Sequence, residues 1–200
     1  MQEDLIKINY KIFREAFTTQ LESIKKNRVK YIHKAIHRPL RDKNSQKSYL
    51  DMVYLGPRDA KKALVLIAGT SGVDGYTGSM ILHFVIEKGV VGFVDEDTAI
   101  LLIHALNPCG MAYYRRCDEH GIEVNRNCLL QFDKLPVNRL FERVKDYMIP
   151  KNWNERSVAE TNAQIHDVVE SSLYSHFEEH FRKRQYKFWN MPYYGGESAS

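Results

Sequence analysis

Ala-Leu-Val-Leu-Ile-Ala, residues 63–68, runs straight into Gly69-Thr70-Ser71-Gly72-Val73-Asp74-Gly75-Tyr76-Thr77-Gly78-Ser79. A short apolar run closed by glycine reads as a buried strand, because a parallel strand covered on both faces shows no polar alternation. A second such run, Ala99 to Leu106, ends in Asn107-Pro108 and is followed later by Glu123-Val124-Asn125-Arg126-Asn127. Between the two, residues 78–88 place Met80, Ile81, Phe84, Val85 and Ile86 at spacings that suit a crossover helix. The unit is therefore βαβ. Its loops fall at the carboxyl ends of the strands, where open α/β sheets hold their ligands.

Upstream, residues 4–27 repeat Leu5, Ile8, Ile12, Phe13, Ala16, Phe17, Leu21 and Ile24 at three- and four-residue steps, the pattern of an amphipathic helix. Residues 29–38 alternate in the manner of an edge strand, residues 39–48 form a polar loop, and residues 49–55 are a further strand. Gly56-Pro57-Arg58-Asp59 then turns the chain back into the central run. Downstream, residues 109–122 read as a long loop or broken helix, and residues 135–148 as a helix stopped at Pro150. Residues 157–181 form another helix, carrying Val158, Ile165, Val169, Leu173, Phe177 and Phe181. The tail from Tyr186 is dense in aromatics.

The chain has 200 residues, enough for one domain with a sizeable core, and 44% apolar with 27% charged residues is ordinary for a globular protein. Its formal charge of +4 is spread along the sequence rather than gathered into an arm or stripe, which argues against a nucleic-acid partner. No run approaches the ~18 apolar residues of a membrane span, and the N-terminus has no apolar signal core. Cys109, Cys117 and Cys128 are odd in number and irregular in spacing, so they read as free thiols in a reducing compartment. Cytoplasmic localisation is the expectation.

Four motifs occur in order: Gly69 to Ser79, His104 to Arg116 (His-Ala-Leu-Asn-Pro-Cys-Gly-Met-Ala-Tyr-Tyr-Arg-Arg), Glu123 to Asn127, and Tyr193-Tyr194-Gly195-Gly196. Together they resemble a bacterial domain-of-unknown-function family of the zinc carboxypeptidase superfamily, metallopeptidase-like and related to succinylglutamate desuccinylase and aspartoacylase. The resemblance covers most of the chain. It implies a single metallocarboxypeptidase-like domain over residues 1–200, α/β, with a mixed, largely parallel sheet and helices on both faces. It also implies zinc-dependent amide hydrolysis with zinc as cofactor.

Carried over position by position, the resemblance puts the family's histidine ligand at Ser71 and its glutamate ligand at Asp74. A serine hydroxyl is a poor zinc ligand, and aspartate keeps the carboxylate on a shorter arm. The superfamily's third ligand and its catalytic glutamate follow the matched region, so the expectation is a chain incomplete at its C-terminal side. Arg116, with Arg115 as the alternative, stands where an arginine polarises the scissile carbonyl, a role in which preorganised charge is a large catalytic term. Asn125 and Arg126 stand where the family binds a substrate carboxylate, and a guanidinium can grip one bidentately.

Each position also has a plainer reading. Asp74 can cap the helix that follows it, and Asn125 with Arg126 can form a structural turn with a buried ion pair. His104, alone in an apolar run, can be a hydrogen-bonded core residue or a replacement ligand. His176 and His180, four apart on a helix, could chelate a metal. The expected protein is a divergent metallopeptidase-like protein with impaired hydrolysis. Its expected partner is a small-molecule or peptide carboxylate, with a homo-oligomer or second chain possible in principle and neither nucleic acid nor membrane involved. Two other readings stand beside it: an active hydrolase with a noncanonical or partner-completed site, and a non-catalytic carboxylate-binding module.

Overall fold

The computed structural model describes residues 9–26, 31–38, 47–89, 96–170 and 182–200. The expected first turns of the opening helix, the C-terminal end of the last one, and the His176/His180 pair lie outside these residues. The chain forms two compact units, Met1–His120 and Gly121–Ser200.

The first unit contains α1 (Tyr10–Lys26), β1 (Tyr31–Arg38), β2 (Ser48–Leu55), β3 (Lys62–Ile67), α2 (Asp74–Glu87), β4 (Thr98–His104) and α3 (Pro108–Ala112). The strands form one sheet in the order β1-β2-β4-β3. β3 and β4 are parallel and joined by α2, so the expected βαβ unit is present. The sheet is mixed, but it is not largely parallel: β1 pairs antiparallel with β2, and β2 antiparallel with β4. Only a long crossover makes neighbours parallel, and among the described residues α2 is the only such crossover between the four strands.

One face of the sheet holds the core. Val53, Leu55, Leu66, Ile100 and Leu102 point to Phe17, Leu21 and Ile24 of α1 and Leu82 and Ile86 of α2. Both long helices of this unit therefore lie on one face. On the other face Ile32, Val65 and Ile67 are about half exposed. The greater surprise is β3. Its apolar run reads as doubly buried, yet among the described residues it is the last strand of the sheet, and five of its six residues are exposed.

The α1 helix is fastened to the sheet by polar groups as well. Asp51 is completely buried and accepts from Arg14 Nε at 2.6 Å and Nη2 at 3.1 Å, with His33 Nε2 at 2.8 Å. Arg14 also lies 4.1 Å over the Tyr49 ring. Tyr10 hydroxyl donates to Tyr49 O and accepts from Tyr49 N, and burial pushes its pKa up to about 12. A buried carboxylate requires such partners, since alone it would cost several kcal/mol (about that scale, by desolvation).

The second unit contains α4 (Arg139–Val144), α5 (Glu155–Glu170) and 3₁₀ turns at Val124–Arg126 and Lys145–Tyr147. Helix starts follow their caps: Asn138 Oδ1 accepts from Phe141 N, and Asn154 Oδ1 from Ser157 N. Buried Gln185 organises the aromatic tail. Its Oε1 accepts from Lys187 N and Phe188 N, while its Nε2 donates to Phe188 O and Pro192 O. Among the described residues, no helix is long and apolar enough to cross a membrane.

Candidate functional site

The first two motifs meet at the carboxyl ends of β3 and β4. Ala68 N donates to Ile103 O, Leu106 N to Ala68 O, and Asn107 N to Gly69 O, so the pairing continues past both strands into the loops. Gly69, at φ +78°, lies so close to the second loop that a Cβ would stand 2.5 Å from Ala105 Cβ and 2.8 Å from Met111 Sδ. Gly72, at φ +64°, is pressed against the backbone of Arg115, whose carbonyl would collide with any Cβ there. These two glycines are what allow the Ser71–Asp74 turn to nest on the Arg115–Arg116 segment. From the other side, Asn107 caps α3 through its Oδ1 from Gly110 N and donates Nδ2 to Arg116 O at 3.3 Å. Tyr76 hydroxyl closes the nest by donating to Met111 O at 2.8 Å, and burial raises its pKa well above the ordinary phenol value.

The backbone of the nest is fixed, but the side chains on it are idle. Ser71 is half-buried and Asp74 exposed, and neither side chain has a hydrogen-bond or ion-pair partner among the described residues. Asp74 begins α2 rather than capping it: the N-cap is Val73, with no side-chain bond, and Asp74 stands in the first turn, where its charge suits the helix dipole. Arg116 is exposed. Arg115 is half-buried, its guanidinium 5.9 Å from the Tyr113 ring and its Nε buried without a hydrogen-bond partner.

The zinc that the resemblance implies does not fit this donor set. A tetrahedral site needs three strong protein ligands. The turn offers one neutral hydroxyl and one carboxylate, and among the described residues no three His, Cys, Asp or Glu side chains are grouped to hold an ion. His104 supplies no replacement. It is fully buried, stacked at 4.8 Å on Phe17, with Nε2 bonded to Ser79 Oγ at 2.6 Å. Burial pulls its pKa down to about 4, so the ring is neutral at physiological pH. The core-residue reading of His104 is the one that holds.

The third and fourth motifs interlock within the second unit. Arg126 Nε donates to Glu123 Oε2 at 2.8 Å, its Nη1 donates to Arg182 O at 2.6 Å, and its guanidinium lies 4.5 Å over the Tyr193 ring. Glu123 is buried, and its backbone N–H bonds Tyr194 O. Asn127 Nδ2 donates to Gly195 O and Ser198 O, and its Oδ1 accepts from Ser200 N. Asn125 is exposed on the 3₁₀ turn. Arg126 therefore has the buried ion pair of the plainer reading, with two of its five N–H groups engaged by Glu123 and Arg182 among the described residues. Glu123 and Tyr193, both inside the motifs, are the groups that hold Arg126. The three-residue step from Glu123 to Arg126 is the signal that could have paired them.

These features define an α/β protein with a glycine-built loop nest at the ends of a parallel strand pair. The chain matches, over residues 7–200, the family described as "Protein of unknown function (DUF2817)", and it belongs to that family. No curated protein and no solved structure matches it.

Proposed function

We propose that the chain is a divergent relative of the zinc carboxypeptidase superfamily, a metallopeptidase-like protein whose metal-dependent hydrolysis is impaired or absent. One observation carries the reading: the Ser71–Asp74 turn keeps the tight glycine geometry that would present ligands, while the donors on it are a hydroxyl and a single carboxylate. The retained chemistry is cationic. Arg116 is exposed beside the turn, and a carboxylate of a small molecule or peptide is the ligand such a group attracts. Asn125 and Arg126, in the second unit, are proposed separately as carboxylate-binding groups.

The test is hydrolysis of N-acyl amino acids and short peptides by the purified chain, with and without chelator. The expected result is no chelator-sensitive turnover. Chelator-sensitive amidase activity that disappears in Arg116→Ala would overturn the proposal and establish the second reading, an active hydrolase with a noncanonical or partner-completed site. That second reading is favoured by Asp74 alone, an exposed carboxylate with no protein partner among the described residues. Saturable carboxylate binding with no turnover and no metal dependence would identify a binding module.

A further inference from the structure

Ser79 and His104 form a polar pair within an apolar packing layer. Leu82 and Ile86 of α2 share the hydrophobic core with Ile100 and Leu102 of β4. One turn before Leu82 and two residues past Leu102, the contact is instead a hydroxyl on an imidazole, Oγ to Nε2 at 2.6 Å. Both residues are buried, and His104 Nδ1 has no hydrogen-bond partner among the described residues. Such an orphaned polar group costs free energy that apolar residues in the same places would not, so it calls for an explanation. The pair borders a cavity of about 210 Å³ between α1 and α2. Its walls include Ile12, Phe13, Phe17 and Met80, and its polar side chains among the described residues are those of Ser79 and His83. Apolar walls with a few polar groups are the composition of ligand sites. An apolar cavity of ~150 Å³ takes a benzene ring, so this one has room for a short aliphatic or aryl acyl group.

We infer that Ser79 is a nucleophile and His104 its general base, with the cavity taking the acyl group of a small ester. His104 is neutral, as a base must be, and its Nε2 already bonds the hydroxyl whose proton it takes. Burial weakens it as a base, while the Asp51 carboxylate, its register partner on β2, favours the charged ring. Phe17, stacked on the His104 ring at 4.8 Å, fixes its plane. In the reaction Ser79 Oγ bonds the ester's carbonyl carbon as its proton passes to His104 Nε2. The carbon–oxygen bond to the alcohol then breaks, and the alcohol leaves with that proton. Ser79 remains acylated and His104 is neutral again. His83, four residues on and hence on the same face of α2, is the side chain placed to donate to the oxyanion that develops between these steps. Apolar walls keep water from the acyl bond, so acylation outruns hydrolysis and the acyl group stays on Ser79. The reaction draws on no group of the Ser71–Asp74 turn and goes beyond the reading proposed for it.

The experiment mixes the full chain with p-nitrophenyl butyrate, with and without chelator, beside Ser79→Ala, His104→Gln and Ala16→Trp. Circular dichroism checks that each variant folds. The natural chain should give a burst of roughly one p-nitrophenolate per chain and then slow turnover, the mark of an accumulating acyl-enzyme. Chelator should leave the burst unchanged, and peptide mass mapping should place the butyryl group on Ser79. Ser79→Ala should abolish the burst, and His104→Gln should slow it on the order of 100-fold, the scale of general-base catalysis. Ala16 is an exposed residue of the cavity wall. Ala16→Trp crowds the acyl group and should slow acylation on the order of 10-fold, a test that stands even where His104→Gln fails to fold. Three outcomes would overturn the inference: no burst, a butyryl group on a residue other than Ser79, or a burst rate that neither His104→Gln nor Ala16→Trp changes.

Discussion

The turn carrying Ser71 and Asp74 and the turn carrying Asn125 and Arg126 are built in opposite ways. In the first the backbone is constrained on every side: Gly69 and Gly72 have no room for a Cβ, and Asn107 and Tyr76 fasten the loop it rests on. Its Ser71 and Asp74 side chains nevertheless engage nothing described. In the second turn the side chains do the fastening. Arg126 is held by Glu123, by Arg182 O and by the Tyr193 ring, and Asn127 ties down the last residues. A rigid backbone presenting idle groups is the form of a ligand site. A motif residue surrounded by partners of its own is as much part of the architecture as of any site.

That contrast can be broken most forcefully through the ion pair. Arg126→Ala leaves the Glu123 carboxylate buried without its guanidinium, and should destabilise the second unit by about 3–5 kcal/mol in urea denaturation. If stability is unchanged and only ligand affinity falls, Arg126 is a binding residue and not a structural one. Gly72→Ala tests the first turn. With φ at +64° and Arg115 against the missing Cβ, it should cost roughly 3 kcal/mol, a magnitude reserved for strain and overpacking, measured by the same denaturation. A neutral outcome would mean that the nest is loose and its presentation of Ser71 and Asp74 unimportant.

His104 sharpens the comparison from the core side. Its folded pKa is about 4 against an ordinary 6.5. The unfolded chain therefore binds the proton more readily between those values. Stability is fully present above pH ~6.5 and falls as pH drops toward ~4, by at most about 3 kcal/mol at 1.36 kcal/mol per unit. Denaturation midpoints taken across that range should slope for the natural chain, and the slope should flatten in His104→Gln. The smallest effect is expected at Asp74. Asp74→Asn removes only a favourable charge near a helix N-terminus, and should cost no more than ~0.5 kcal/mol by thermal unfolding. A large loss there would reveal a structural partner for Asp74.

Much of this was legible in the sequence, for reasons that mark its limits. The apolar runs at 63–68 and 99–106 and the periodicity of the opening helix locate β3, β4 and α1, because those patterns are local. Gly69 and Gly72 take positive φ in the first loop, which the structure rather than the sequence reveals. Pairing was not legible: nothing near Tyr49 or Val65 says that β4 enters between β2 and β3, so a largely parallel sheet was the natural expectation and two antiparallel ladders replaced it. Exposure of β3 was not legible either, since an all-apolar run reads as covered and only the pairing puts it at the end of the described strands. The Arg14–Asp51 pair joins residues 37 apart, beyond any local pattern. At the candidate sites the sequence singles out Ser71, Asp74, Arg116, Asn125 and Arg126 as candidates only. It left open the cap at Asp74 and the ion pair at Arg126, which geometry alone could decide.

The central claim is that the Ser71–Asp74 nest lacks the donors to hold zinc. Calorimetric titration of the metal-free chain with Zn²⁺ tests it most directly. Weak, substoichiometric heats that Asp74→Ala leaves unchanged are expected. One tightly bound ion per chain, lost in Asp74→Ala, would contradict it.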